Sequence, residues 1–166
     1  MKIVINAGHT KFGTGTGAVG LLNESTETRR VAYQIMEQLA ETSHEVFPAV
    51  FDRHESNLKA AVHIANENAA DLFVSIHLNA GGGSGTEVYT WRGRQNARAV
   101  RAAKNLSALG FPNRGIKDGS ALYVLRNTKC EALLVEVCFV DNATDRKAYM
   151  AAGVEKIARA IVDAIK

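Results

Sequence analysis

Three polar residues stand where short apolar runs end or are interrupted. Ile3-Val4-Ile5 leads into Asn6-Ala7-Gly8-His9, and Leu72-Phe73-Val74-Ser75-Ile76 leads into His77-Leu78-Asn79. The run Leu133–Phe139 carries Glu136 in its middle. A carboxylate inside an apolar run is unfavourable unless it has a partner, a shifted pKa, or both. Two imidazoles and a carboxylate gathered at one sheet edge suit a zinc site, where three N or O ligands leave a fourth position for water. Each residue also has a plainer role open to it. His9 could be a loop histidine, His77 a core histidine bonded to a carbonyl, and Glu136 a salt-bridge partner of Arg114 or Arg126. The candidates lie 68 and 59 residues apart, so spacing does not decide.

Only a fold that brings these run ends together makes them a site. Ile3–Ile5, Val46–Phe51, Leu72–Ile76, Thr86–Trp91, Leu122–Leu125 and Leu133–Val140 are expected as strands, several of them apolar enough to be covered on both faces. Helical spacing recurs between them, with Val31, Ile35 and Leu39 on one face. Leu58, Val62 and Ala65 form a second face, and Val100, Ala103 and Leu106 a third. Val154, Ile157, Ile161 and Ala164 close the chain. Ser56-Asn57 and Asn142 are candidate N-caps, and Gly110 with Pro112 ends the third helix. The alternation predicts one α/β domain over residues 1–166, with a twisted, mainly parallel sheet of about six strands and helices on both faces. In such sheets the site lies beyond the carboxyl ends of the strands, where His9 and His77 fall. Gly81–Gly85 follows directly and is expected as a mobile rim or a plain connection.

Composition excludes several classes. With 166 residues, 46% hydrophobic and 22% charged, the chain has the balance of a globular domain and can bury a core without staples. The net charge of +3 comes from scattered residues, so no nucleic-acid partner is expected. No apolar stretch approaches the roughly 20 residues of a membrane span, so no membrane insertion is expected. Two cysteines make no disulfide framework, and Cys138 reads as a small buried hydrophobe. Met1–Asn6 enters a strand-like run with no charged leader or long apolar segment, so the chain is expected to be made in the cytoplasm. A monomer is favoured. His44, His54 and His63 sit in polar surroundings as surface residues, and Trp91, Tyr89 and Tyr123 fit either a core or a groove.

Gly15-Thr16-Gly17-Ala18-Val19-Gly20 satisfies G-x-G-x-x-G. Its glycines come too late after the first strand to form its tight turn. They also come too early before the helix expected near Ser25 to present a pyrophosphate to that helix, so a dinucleotide site is not favoured.

Four ordered blocks carry a resemblance across essentially the whole chain. They are Ile3–His9 with Gly17–Glu24, Ala70–Ala80 with Gly85–Tyr89, Arg114–Lys117 with Leu122–Arg126, and Leu134–Asn142. Together they resemble the zinc-dependent N-acetylmuramoyl-L-alanine amidases of amidase family 3, peptidoglycan-cleaving enzymes, and among them the catalytic domains of phage endolysins. The resemblance implies Zn2+ held by His9, Glu24 and His77, with Glu136 as catalytic acid/base. Glu24 is preferred to Glu27 on helix phase, which leaves Glu27 as an exposed first-turn acid. Asn79, Arg114 and Tyr123 are the candidate substrate contacts. The implied partner is cell-wall peptidoglycan, cut between N-acetylmuramic acid and L-alanine, with cleavage inside the stem peptide as the alternative. Release as a phage lysin, or expression in a mother cell, would bring the enzyme to the wall. Thr10, Glu131 and Cys138 depart from the family's usual residues, and none of these departures removes a ligand.

Overall fold

In the computed structural model, which describes residues 1–53 and 57–166, strands and helices alternate along the chain. In order they are β1 (Lys2–Ala7), α1 (Glu24–Ala40), β2 (Glu45–Ala49), α2 (Asn57–Glu67), β3 (Leu72–Asn79), β4 (Thr86–Thr90), α3 (Ala97–Ser107), β5 (Asn113–Asp118), α4 (Tyr123–Asn127), β6 (Glu131–Phe139) and α5 (Ala143–Ile165). The six strands form one sheet in the order β2-β1-β3-β6-β4-β5. The first four run parallel, β4 lies antiparallel to β6, and β5 is parallel to β4.

Alternation along each strand divides the core between two faces. Ile3, Ile5, Leu72, Val74, Leu133 and Val135 pack with α1, α3 and α5. Val4, Phe73, Ala132 and Leu134 pack with α2 and α4. Because both faces are covered, the central strands are continuously apolar, as expected for parallel strands. In α3 the covered face is Ala99, Ala102, Ala103 and Leu106, and Val100 turns outward, as Leu58 does on α2. Asn142 caps α5 by accepting from the Thr144 and Asp145 amides. The candidate cap Ser56 and the histidine at position 54 lie outside the described residues.

One expected strand is a helix. Leu122–Leu125 opens the single turn α4, with Arg126 N–H donating to Leu122 C=O and Thr128 N–H to Val124 C=O. A four-residue apolar run fits either element, and here Val124 and Leu125 both enter the same core cluster. The sixth strand is β5, an edge strand paired on one side, whose residues are exposed or half-buried and show no apolar pattern.

Two register shifts reshape the end of the sheet that carries His77 and Glu136. His77 pairs with Glu136 but Asn79 with Phe139, so β6 has one residue more than β3 across that interval. Val137 and Cys138 both enter the α1/α3/α5 core, which returns Phe139 to the Glu136 face. Likewise Thr86 pairs with Asn113 but Val88 with Ile116, so Arg114 and Gly115 together oppose Glu87. Gly115 sits at φ 76, a conformation that favours glycine.

Candidate metal centre and active site

His9, Glu24 and His77 each offer one ligand atom, and the three atoms lie within 4.8 Å of one another. His9 follows β1 in the left-handed region at φ 65. Three bonds hold its loop there. Arg29, buried on α1, donates to His9 C=O at 3.2 Å and Phe51 C=O at 2.6 Å. Thr28 Oγ1 donates to Gly8 C=O at 3.1 Å. Glu24 is the first residue of α1, capped by Asn23, where a carboxylate is favoured by the helix dipole.

The outer nitrogens of both imidazoles are spoken for, which determines where the inner ones point. His9 Nδ1 faces Gly15 C=O at 3.1 Å. A carbonyl only accepts, so Nδ1 carries the proton and Nε2 is left facing Glu24 Oε1 at 3.0 Å. Ser75 Oγ donates to Asn6 Oδ1 at 2.6 Å and accepts from His77 Nε2 at 3.1 Å. That leaves His77 Nδ1 facing Glu24 Oε1 at 3.3 Å. Asn6 is anchored in turn on Ala49 C=O at 2.7 Å. Two nitrogen lone pairs and a carboxylate oxygen therefore converge, and a cation is the partner that satisfies all three. Metal-bound histidines ordinarily donate their other N–H in this way.

Glycines leave the space for this cluster. A Cβ at Gly8 would come 2.3 Å from the His77 ring, and one at Gly17 would come 2.6 Å from Glu24 Oε2 and 2.9 Å from His9. Ala18 N–H donates to Glu24 Oε2 at 2.8 Å. The Gly15–Gly20 segment thus wraps the donor cluster, and the dinucleotide alternative falls with it. Burial opposes charge on Glu24, but the two facing imidazoles and the hydrogen bond from the Ala18 amide outweigh it and hold its carboxyl well below the usual range. Burial lowers His77. For His9 burial acts the same way but is overcome by Glu24, leaving the ring raised.

Glu27, expected as an exposed acid, is partly buried. It accepts from Tyr149 Oη at 2.9 Å and Arg30 at 2.9 Å, and takes no part in the cluster.

Glu136 stands beside His77 in the β3–β6 register. Its Oε2 is buried and has no hydrogen-bond partner among the described residues, so neither arginine weighed from sequence satisfies it. Burial first, then the charges of Glu24 and Glu87, push its carboxyl up to about 8.

Asn79 and Arg114 converge on Glu87, a residue that sequence reasoning passed over. Glu87 is 3% exposed and accepts from Asn79 Nδ2 at 2.8 Å, Tyr89 Oη at 2.9 Å and Arg114 Nε at 2.7 Å. It is the cross-strand neighbour of Glu136. The signal was present, since Glu87 is also an acid within a strand. Ser75, Asn6 and Arg29 were likewise unmarked. Tyr123 opens α4 and packs against the Val4, Phe73 and Leu134 cluster. The Gly81–Gly85 segment is pinned. Asp141 accepts from the Gly81 and Gly82 amides, Asp145 accepts from Ser84 Oγ and the Gly85 amide, and Asn142 donates to Gly83 C=O.

Comparison with known proteins gives a consistent picture. Residues 3–166 match the family model described as N-acetylmuramoyl-L-alanine amidase. The chain is 34% identical over 166 residues to the N-acetylmuramoyl-L-alanine amidase CwlM of Bacillus licheniformis, covering 96% of this chain and 65% of that protein. The catalytic domain of the CD27L endolysin targeting Clostridia difficile superposes with a TM-score of 0.89 at 30% identity, covering 99% of this chain and 96% of that one. The catalytic domain of the amidase CwlV from Bacillus (Paenibacillus) polymyxa gives 0.87 at 32%, covering 99% and 95%. The chain spans about half the length, 51%, of two related Clostridium perfringens proteins.

Proposed function

The chain belongs to the N-acetylmuramoyl-L-alanine amidase family, and on that premise we propose that it hydrolyses the amide joining N-acetylmuramic acid to L-alanine in cell-wall peptidoglycan. The observation that carries this reading is the convergence of His9 Nε2, Glu24 Oε1 and His77 Nδ1 near Glu136, whose buried Oε2 has no hydrogen-bond partner among the described residues. We assign the three converging residues as zinc ligands and Glu136 as the acid/base. When bound, zinc polarises a carbonyl and brings the pKa of water to about 7.

The chain's own residues do the rest. Gly15 C=O and Ser75 Oγ hold both imidazoles in the tautomers that leave a lone pair inward. In this reading Glu136 takes a proton from the attacking water and returns it to the departing amine, and its register position next to His77 supports that role. An environment that lifts its pKa toward neutrality lets it hold that proton between the two steps. Asn79 is offered as a substrate contact at the same rim, and Tyr123, at the start of α4, as a second. No described helix is long and apolar enough to cross a membrane, and the proposed place of action is the wall.

Digestion of purified walls with and without a chelator tests the proposal. The expected result is new N-terminal L-alanine, lost with chelator and restored by zinc. A different new terminus would move the scissile bond into the stem peptide, and chelator-insensitive release would remove the metal from the reaction.

A further inference from the structure

We propose that Arg114 anchors a free carboxylate on the peptide side of the scissile bond, so that the enzyme selects substrates by that charge; this rests on the amide-hydrolase reading above. Arg114 is held at two points and unused at two others. Its Nε donates to Glu87 Oε2 at 2.7 Å, and its guanidinium lies over the Phe139 ring at 5.0 Å. The two Nη groups have no partner among the described residues, and the side chain is 37% exposed.

Both supports are products of register shifts. The extra residue in β5 sets Arg114 and Gly115 together against Glu87. The extra residue in β6 brings Phe139 onto the Glu136 face, where its ring also abuts Gly83. Bulges of this kind re-aim side chains beside active sites. Neutralising Glu87 needs only Nε, because Oε1 already accepts from Asn79 and Tyr89. The planar edge that remains is a fork matched to a carboxylate.

The reach is appropriate. Arg114 lies on β5, two strands from Glu136, and reaches back to Glu87 on the strand between, so the guanidinium stands between one and two strand spacings, ~5–10 Å, to the side of Glu136. A carboxylate on the second peptide residue lies about one residue, ~3.8 Å between Cα atoms, beyond the residue whose nitrogen is released.

The test uses the zinc-loaded enzyme and two synthetic N-acetylmuramoyl dipeptides. They differ only in whether the second residue carries a free α-carboxylate or its carboxamide. Wild type is expected to favour the carboxylate by about 10- to 100-fold in kcat/KM, the range of a charge-assisted pair. Arg114→Gln should bring that ratio close to one, mainly by raising KM for the carboxylate, whatever loss the two substrates share from the broken Glu87 pair. Arg114→Lys should keep part of the preference. A cooperative melt and wild-type metal content show that the variants are folded. An equal fall on both substrates, carried in kcat, would make Arg114 a positioning residue acting through Glu87 and overturn the anchor. Cleavage by wild type without discrimination would overturn it too. If neither dipeptide is cut at the muramoyl amide, the hydrolase reading fails and takes the anchor with it.

Discussion

Glu136→Gln separates the electrostatic cost of the site from its chemistry. In the metal-free protein the carboxyl is lifted from its ordinary 4.5 to about 8, by burial first and then by Glu24 and Glu87. The direction of the pH effect follows. Below pH 4.5 the group is protonated in both folded and unfolded chains and contributes no difference. Between about 4.5 and 8 the unfolded chain ionises it while the folded chain does not, so stability falls as pH rises. Above about 8 both are ionised and the loss is complete. At about 1.4 kcal/mol per unit, the ceiling is on the order of 4–5 kcal/mol, a large part of a domain's stability. An amide cannot ionise, so the variant escapes that loss. Urea unfolding in chelator at pH 5 and pH 8 is the assay. The variant should lie within about 1 kcal/mol of wild type at pH 5 and exceed it by several kcal/mol at pH 8, roughly 10 °C in Tm for a chain of this size. His9 and His77 titrate in both proteins, and their contributions cancel in the difference. A dication nearby lowers the pKa of a carboxyl, which is why chelator is required. The zinc-loaded variant should still bind metal and lose about 10²- to 10⁴-fold in turnover. Equal pH slopes in the two proteins would refute the argument that Glu136 is held neutral by its surroundings.

Three further outcomes follow from named contacts. Glu24→Ala should lose stoichiometric metal, whereas Glu27→Ala should keep it and lose about 1–3 kcal/mol of stability by leaving Tyr149 Oη unpaired; metal analysis beside thermal melts separates them. Ser75→Ala removes the acceptor of His77 Nε2 and should weaken metal affinity about 10- to 100-fold in competition with a chromophoric chelator, with little change in fold. Gly17→Ala forces a Cβ to 2.6 Å from Glu24 Oε2 at φ 77, and should lower both metal affinity and stability by about 1–3 kcal/mol; an unchanged affinity would show that the cluster yields freely.

What was legible in the sequence was what leaves a local pattern. The runs around Ile3, Leu72 and Leu133 announced central strands because burial on both faces requires continuous apolar residues. Their polar ends marked His9, His77 and Glu136 because the sheet converges there. β5 was missed because an edge strand needs no apolar pattern, and α4 was taken for a strand because a four-residue run has no period to read. Ser75, Asn6 and Arg29 were hidden for another reason. Their work is to bond groups 2 to 69 residues away, which no local pattern records. Glu87 carried a signal and was passed over, since its partners arrive through a register shift that is visible only in three dimensions.

The two carboxylates of the site are driven in opposite directions by the same fold. Glu24 sits at a helix N-terminus, faces two imidazoles, accepts from two backbone amides, and stays ionised. Glu136 lies in the middle of a buried strand, faces two other acids across its neighbours, and is left with an oxygen that no described residue satisfies. A pair of acids forced apart in this way divides the labour between a fixed charge and a mobile proton. Glu24 is therefore suited to hold a cation and unsuited to shuttle protons, because protonating it would weaken the two bonds it accepts from the Ala18 and Leu78 amides. Glu136 Oε2 has no bond among the described residues to lose when its proton moves. Exchanging the roles would require the first residue of α1 to trade environments with the centre of β6. The assignment of ligand and acid/base thus rests on the backbone's placement of each acid and not on the identity of the side chain, which is glutamate in both.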